Sequence, residues 1–143
     1  MVTGYSSDTM DTKSERAYGK EVVAQYNVYL KGCPARLVFD RLADKWSLLI
    51  VGILRREPRR FNQLRREIDG ISQKALSQTL QKLERDGLVN RNAFPTVPVT
   101  VEYSLTDLGK TLSELIEPLV SWAENHIEQV LRSQHRYDEQ RTE

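Results

Sequence analysis

Cysteine is almost missing from this chain. The one that occurs, Cys33, cannot form a disulfide within the chain, which fits a reducing compartment and leaves a bridge between two copies open. Long hydrophobic runs are also missing. The longest, LLIVGIL from Leu48 to Leu54, is far too short to span a bilayer, and the first residues, MVTGYSSDTMDTKSER, lack the apolar stretch of a signal peptide. The expectation is a cytoplasmic protein with no membrane contact. No glycine-rich phosphate loop and no catalytic triad can be assembled. His126 and His135 with one distant cysteine lack the spacing of a metal site, and Asp107, Glu114 and Glu117 read as helix-solvating carboxylates. Neither metal, cofactor nor enzymatic activity is therefore expected. A small enzyme would have Cys33 as its sole nucleophile, without a nearby base.

A surplus of charge of one sign is missing too, since the net charge is only +1. That total hides a strong asymmetry. Residues 31–91 hold fourteen bases against seven acids, whereas residues 106–143 hold four against eight. Six arginines fall in RREPRRFNQLRR, from Arg55 to Arg66. A localised basic field between acidic ends suits a polyanion docking at one face.

With 143 residues the chain is long enough for one domain with a core of its own. Residues 1–14 and 133–143 read as polar tails around a domain at 15–132. A first helix is expected from Glu15 to Leu30, with Val22, Val23, Tyr26, Tyr29 and Leu30 on its apolar side, stopped at Gly32. Pro34 then opens a second helix carrying Leu37, Val38 and Leu42, and WSLLIVGILRR forms a third at the centre of the core. After Pro58 a short extended stretch leads into a helix with Phe61, Leu64 and Ile68 inward, closed by Gly70. Ser72 caps the next helix, where Leu76, Leu80 and Leu83 share a face, and Gly87 ends it.

The period then changes to that of strands. LVNRNAF and VTVEYSL form a hairpin around PTVP, with Val101, Tyr103 and Leu105 alternating with Glu102 and Ser104. Thr106 caps a long helix bearing Leu108, Leu112, Leu115, Leu119 and Trp122 at near-heptad spacing, beside a second stripe of Ile116, Val120, Ala123, Ile127 and Val130. This is more apolar surface than one small domain can cover, and a partner chain explains it. Pro118 should kink this helix or require local relief. The fold class is thus mainly α with a small β-hairpin.

Within GISQKALSQTLQKLERDGLV, residues 70–89, the outward face carries hydrogen-bonding heads where charges would be usual. Turning Leu76, Leu80 and Leu83 inward places Lys74, Gln78, Gln81 and Arg85 opposite, flanked by Ser77 and Lys82, with Gln73 at the start. Glutamine can pair with adenine and lysine can reach guanine, so Gln73, Lys74, Ser77 and Gln78 are candidates for reading base edges. Arg59, Arg60, Arg65, Arg66, Gln81, Lys82, Arg85 and Arg91 are candidates for phosphate contacts. The competing reading is a solvated glutamine-rich face, with arginines paired to Glu57, Glu67 and Asp69. The short helix before this one and the hairpin after it favour nucleic acid, in the form of double-stranded DNA.

Residues 33–109 resemble the HxlR-type winged-helix transcription regulators, relatives of the MarR group, through CP, KW with LLI, RFNQLRREI, GISQKALSQTLQKLERDGLV and VEYSLTDLG. The resemblance implies a winged helix-turn-helix and a homodimer on a palindromic operator. It also implies dimerisation helices at both ends, to which Val22, Tyr26, Tyr29, Leu112, Leu115, Leu119 and Trp122 would contribute, and a repressor more than an activator. Ala43 and Asp44 replace a glycine pair common in the family, an exchange expected to extend the helix before KW. Thr100 stands where many members have a base before VEY, so Arg91 takes on more of the phosphate contact than the wing tip.

Cys33, ahead of Pro34 and near Lys31 and Arg36, sits where a helix dipole and positive charges lower a thiol pKa. The resemblance adds that several members sense quinones, aldehydes or oxidants through a cysteine at this place. The alternatives are a small buried side chain at a helix start, a regulator of the same fold answering to a noncovalent small ligand, and a winged-helix module for protein contact.

Overall fold

The computed structural model describes residues 26–142, which divide between Ala43 and Asp44 into two units, each treated by itself. In the first unit, most of the expected Glu15–Leu30 helix, Val22 included, lies outside the described residues. Its last part, 26–30, is a turn and not helix. Asn27 organises it, accepting from the Leu30 N–H through its carbonyl (3.0 Å) and from the Tyr29 N–H through its side chain (3.0 Å). The guanidinium of Arg36 donates to the carbonyls of Val28 (2.8 Å) and Tyr29 (3.0 Å). Gly32, at φ +84°, makes the reversal, and α1 follows at Arg36–Ala43, two residues later than Pro34 suggested.

Ala43 is the last residue of α1, as expected, but Asp44 does not extend the helix further. Asp44 takes an extended conformation, and its carboxylate accepts from the Trp46 N–H (3.1 Å) and the Ser47 hydroxyl (3.3 Å). Capping outweighs helix propensity at that position, and a new helix, α2, runs Lys45–Leu54. Ser47, Ile50, Val51 and Leu54 form its buried stripe.

The stretch expected only to be extended is strand β1, Arg59–Arg60, which opens α3, Phe61–Glu67. The Gln63 side chain accepts from the Arg60 N–H at 2.8 Å and so closes the first turn of α3. After the turn at Gly70 comes α4, Gln73–Arg85, started by the Ser72 hydroxyl, which accepts from the Ala75 N–H at 3.0 Å. Strands β2, Val89–Phe94, and β3, Thr100–Leu105, form the hairpin, and β1 joins it in an antiparallel sheet ordered β1-β3-β2. Tyr103 pairs with Arg59 on one side and Arg91 on the other.

Ile50, Val51, Leu54, Leu64, Ile68, Ile71, Leu76, Leu80, Leu83, Val89, Leu105 and Ile116 are the buried apolar set of this unit. The last of these belongs to α5, Asp107–Arg141, whose inward face is Gly109, Ser113 and Ile116. The residues expected as a tail from 133 onward are helical as far as Arg141. They contain neither glycine nor proline to stop the helix, and local pairs support it: Glu128 with Arg132 (4.0 Å), His135 with Glu139 (3.2 Å) and Arg141 over the Tyr137 ring (5.6 Å). Arg55 joins α2 to α5 by donating to Glu117 (2.5 Å) and to the buried Ser113 hydroxyl (3.2 Å). No helix among the described residues is long and apolar enough to cross a membrane.

Candidate nucleic-acid interface

Helix α4 presents two contrasting faces. Leu76, Thr79, Leu80 and Leu83 are buried, and Thr79 is tolerated among them because its hydroxyl donates back to the Ala75 carbonyl at 2.7 Å. Gln73, Lys74, Gln78, Gln81, Lys82 and Arg85 are exposed, while Ser77 is half-buried. No side-chain hydrogen bond or ion pair ties these seven to another described residue. A face built only to solvate a helix would be expected to hold i,i+4 ion pairs. This one keeps its donors and acceptors uncommitted, as contact with an external hydrogen-bonding surface requires.

The arginines divide into two kinds. Arg60, Arg65, Arg66 and Arg91 are exposed, the first three on or beside α3 and the last on β2. Arg59 departs from its expected role as a phosphate contact. Its side chain is only 9% exposed, and its guanidinium is used up by Glu67 (Nε–Oε2 2.6 Å, Nη2–Oε1 3.2 Å) and by the carbonyls of Glu57 (2.8 Å) and Pro58 (3.3 Å). Pairing of β1 with β3 turns the residue inward, where a cation needs compensating acceptors. Hydrogen bonding to Glu67 raises the Arg59 pKa, burial opposing it, and the same bond holds the Glu67 carboxyl below the ordinary carboxylate value. Arg59 is thus a buttress for the basic surface that its neighbours present.

Cys33 is half-buried in the turn before α1, its N–H donating to the Leu30 carbonyl at 3.2 Å. Arg36, expected to polarise the thiol, is engaged with the carbonyls of Val28 and Tyr29. On α5, Leu108, Leu115, Leu119 and Trp122 are exposed and Leu112 is half-buried, so the stripe that looked surplus in sequence runs alongside the inward face of Gly109, Ser113 and Ile116 and is left largely uncovered. Tyr26 and Tyr29 are exposed as well. His126 stacks on Trp122 with ring centroids 4.6 Å apart.

Sequence reasoning missed Tyr103, which stands beside Arg91 in the sheet with a half-buried phenol lacking any protein hydrogen-bond partner among the described residues. Its place in the alternation Val101, Tyr103, Leu105 marked it as inward-facing. The hydroxyl was the available signal that this position is not purely core.

A helix–turn–helix of these proportions, followed by a hairpin, matches a known family: the model described as HxlR-like helix-turn-helix fits residues 41–131. The chain belongs to the HxlR-like helix-turn-helix family. The HTH-type transcriptional regulator YtfH of Escherichia coli K12 is 46% identical over 105 residues, which cover 73% of this chain and 83% of the relative. Among solved structures, the transcriptional regulator YtfH of Salmonella typhimurium superposes with a TM-score of 0.71 at 41% identity, covering 78% of this chain and 99% of that one. The redox regulator HypR in its oxidised form superposes with a TM-score of 0.61 at 35% identity, covering 65% and 96%. This HxlR-like protein is a DNA-binding transcriptional regulator of the helix-turn-helix type with a winged-helix fold. In that fold α3 and α4 form the helix-turn-helix pair, and β2 and β3 the wing.

Proposed function

We propose that this HxlR-like regulator is a cytoplasmic homodimeric repressor that binds a palindromic operator and releases it when Cys33 meets an oxidant or electrophile. The observation that carries the reading is the uncommitted polar face of α4 beside exposed arginines. Gln73, Lys74 and Gln78, on its first turns, read base edges, and Arg60, Arg65, Arg66, Gln81, Lys82, Arg85 and Arg91 hold phosphates. The outward stripe of Leu108, Leu115, Leu119 and Trp122 on α5 supports pairing with a second copy, which spaces two recognition helices for two half-sites. A dimer seated near a promoter excludes polymerase.

The sensing half of the reading draws on Cys33 and on the likeness to HypR, which is named as a redox regulator. Two Cys33 thiols, one from each copy, would form a disulfide by giving two electrons and two protons to a peroxide, which leaves as water. An electrophile such as a quinone would instead add to one thiolate. Either product changes the spacing of the two recognition helices.

The test is selection of genomic fragments by the purified protein, reduced and after peroxide treatment. A palindrome enriched in the reduced state, lost on oxidation and retained by oxidised Cys33→Ser is the expected result. A palindrome bound equally in both states sinks the thiol switch, and no enrichment in either state sinks the operator.

A second reading, regulation by a noncovalent ligand, has one observation in its favour. A groove of about 360 Å³ lies between α2 and α5, with Leu49, Ile53, Ile116 and Val120 in its lining and Arg56 and Glu124 supplying charge. Retained inducer response in Cys33→Ser would support it.

A further inference from the structure

A polar niche separates the recognition helix from the base of the wing. It has a volume of about 360 Å³ and is lined by Ser77, Leu80, Gln81 and Glu84 of α4 and by Arg91 and Tyr103 of the sheet. Its composition follows from two periodicities. Ser77, Gln81 and Glu84 stand at i, i+4 and i+7 and form one line along α4. Arg91 and Tyr103 are directly paired across β2 and β3, so their side chains leave the sheet on the same face.

Five polar heads therefore converge on one space: two hydroxyls, an amide, a guanidinium and a carboxylate. No hydrogen bond or ion pair within the protein joins any of them to a described residue, and Glu84 and Arg91 are not bonded to each other. Ser77 and Tyr103 are both half-buried, and polar groups so placed are ordinarily satisfied by some partner. Four of the five heads can donate, and the guanidinium offers the fork geometry that suits a tetrahedral oxyanion.

Resting on the DNA-binding reading above, we propose that this niche seats one backbone phosphate of the bound duplex, clamped by Ser77, Gln81, Arg91 and Tyr103. The placement assigns Ser77 to the backbone and leaves base reading to Gln73, Lys74 and Gln78. Tyr103 is a positioning residue whose phenol donates to a phosphate oxygen. With α4 in the major groove, the strand bordering that groove passes between the helix and the wing, which is where the niche lies. Glu84 opposes the clamp because its carboxylate repels the phosphate. The niche thus holds the duplex less tightly than its donors alone would, since Glu84 shares the α4 side with the clamping Ser77 and Gln81 and acts with the opposite sign.

The test compares dissociation constants of the full-length wild type, Tyr103→Phe and Glu84→Gln for a selected operator and for a scrambled duplex of equal length, over a salt series. Circular dichroism first checks that both variants are folded. Tyr103→Phe should weaken both duplexes by the same factor, about three- to tenfold, which is the worth of one hydrogen bond. Glu84→Gln should tighten both by a comparable factor. Wild-type binding with Tyr103→Phe indistinguishable from it overturns the niche alone, as does a Glu84→Gln effect confined to one duplex, which would make Glu84 a base reader. Failure of the wild type to bind any duplex overturns the DNA-binding reading and the niche with it.

Discussion

Arg59 grips Glu67 with two guanidinium nitrogens, Nε on Oε2 at 2.6 Å and Nη2 on Oε1 at 3.2 Å. The pair ties β1 to the far end of α3 and so sets the angle at which the helix-turn-helix leaves the sheet. Because Glu67 is held below the ordinary glutamate value of about 4.3, its contribution to stability is present above that pH. It is lost as pH falls through the lower, folded-state value. The Arg59 shift is upward from an already high value, so its contribution is complete throughout the workable range. Urea unfolding of Glu67→Gln should show a loss of about 1–2 kcal/mol at pH 7, less than a fully buried pair because the Glu67 side chain is 41% exposed. That difference from wild type should close as the pH drops below 4. An equal difference at pH 7 and pH 3 would assign the effect to shape and not to charge.

Among the described glycines, Gly109 comes closest to a neighbouring backbone. A methyl group there would overlap the backbone carbonyl of Leu88 and press on Leu105. Thr106 adds to the junction, its hydroxyl accepting from the Gly109 N–H (2.9 Å) while donating to the Gly87 carbonyl (2.6 Å). Gly109→Ala should therefore lower stability by about 1–3 kcal/mol, although alanine is the better helix former. Thermal unfolding reads this directly, and a raised Tm would show that the junction yields easily.

Gln78 and Arg65 should fail in different ways. Gln78→Ala is expected to lower discrimination at one base pair of the half-site by about 1–3 kcal/mol, with affinity for scrambled duplex preserved. Arg65→Ala should weaken all duplexes together and reduce the salt dependence by about one counterion. Salt-titrated fluorescence anisotropy separates the two, and equal effects from both variants would undo the division between base and phosphate contacts.

Leu115 is 69% exposed on α5, next to Ile116 in the chain but rotated about 100° around the helix from it. Leu115→Glu should leave the circular dichroism spectrum intact and convert the proposed dimer to monomer in sedimentation. Operator affinity should then fall by about a hundredfold or more, since each half-site is bound singly. A variant that remains dimeric would place the subunit contact elsewhere.

Much of the helix-turn-helix was legible without coordinates. The two faces of α4, its Ser72 cap and its Gly87 stop follow from a strong 3.6-residue period with unambiguous end signals, and they agree with the sequence to within a residue or two. The hairpin and the Thr106 cap were equally local. Asp44 was misjudged because the same residue can continue a helix or start one, and the choice turns on whether its carboxylate finds the amide of Trp46. The C-terminal extension was misjudged because residues 133–141 have no apolar period and are held by pairs between polar neighbours.

By itself the sequence determined the basic middle and the order of elements from α1 to α5 apart from β1, because each rests on contacts between residues close along the chain. Tertiary structure alone decided that Arg59 is a buttress while Arg60 stays free, and that Tyr103 meets Arg91 and Ser77 around a common niche. Those outcomes depend on strand register between segments more than forty residues apart in the case of β1 and β3, and a shift of one residue would reverse them.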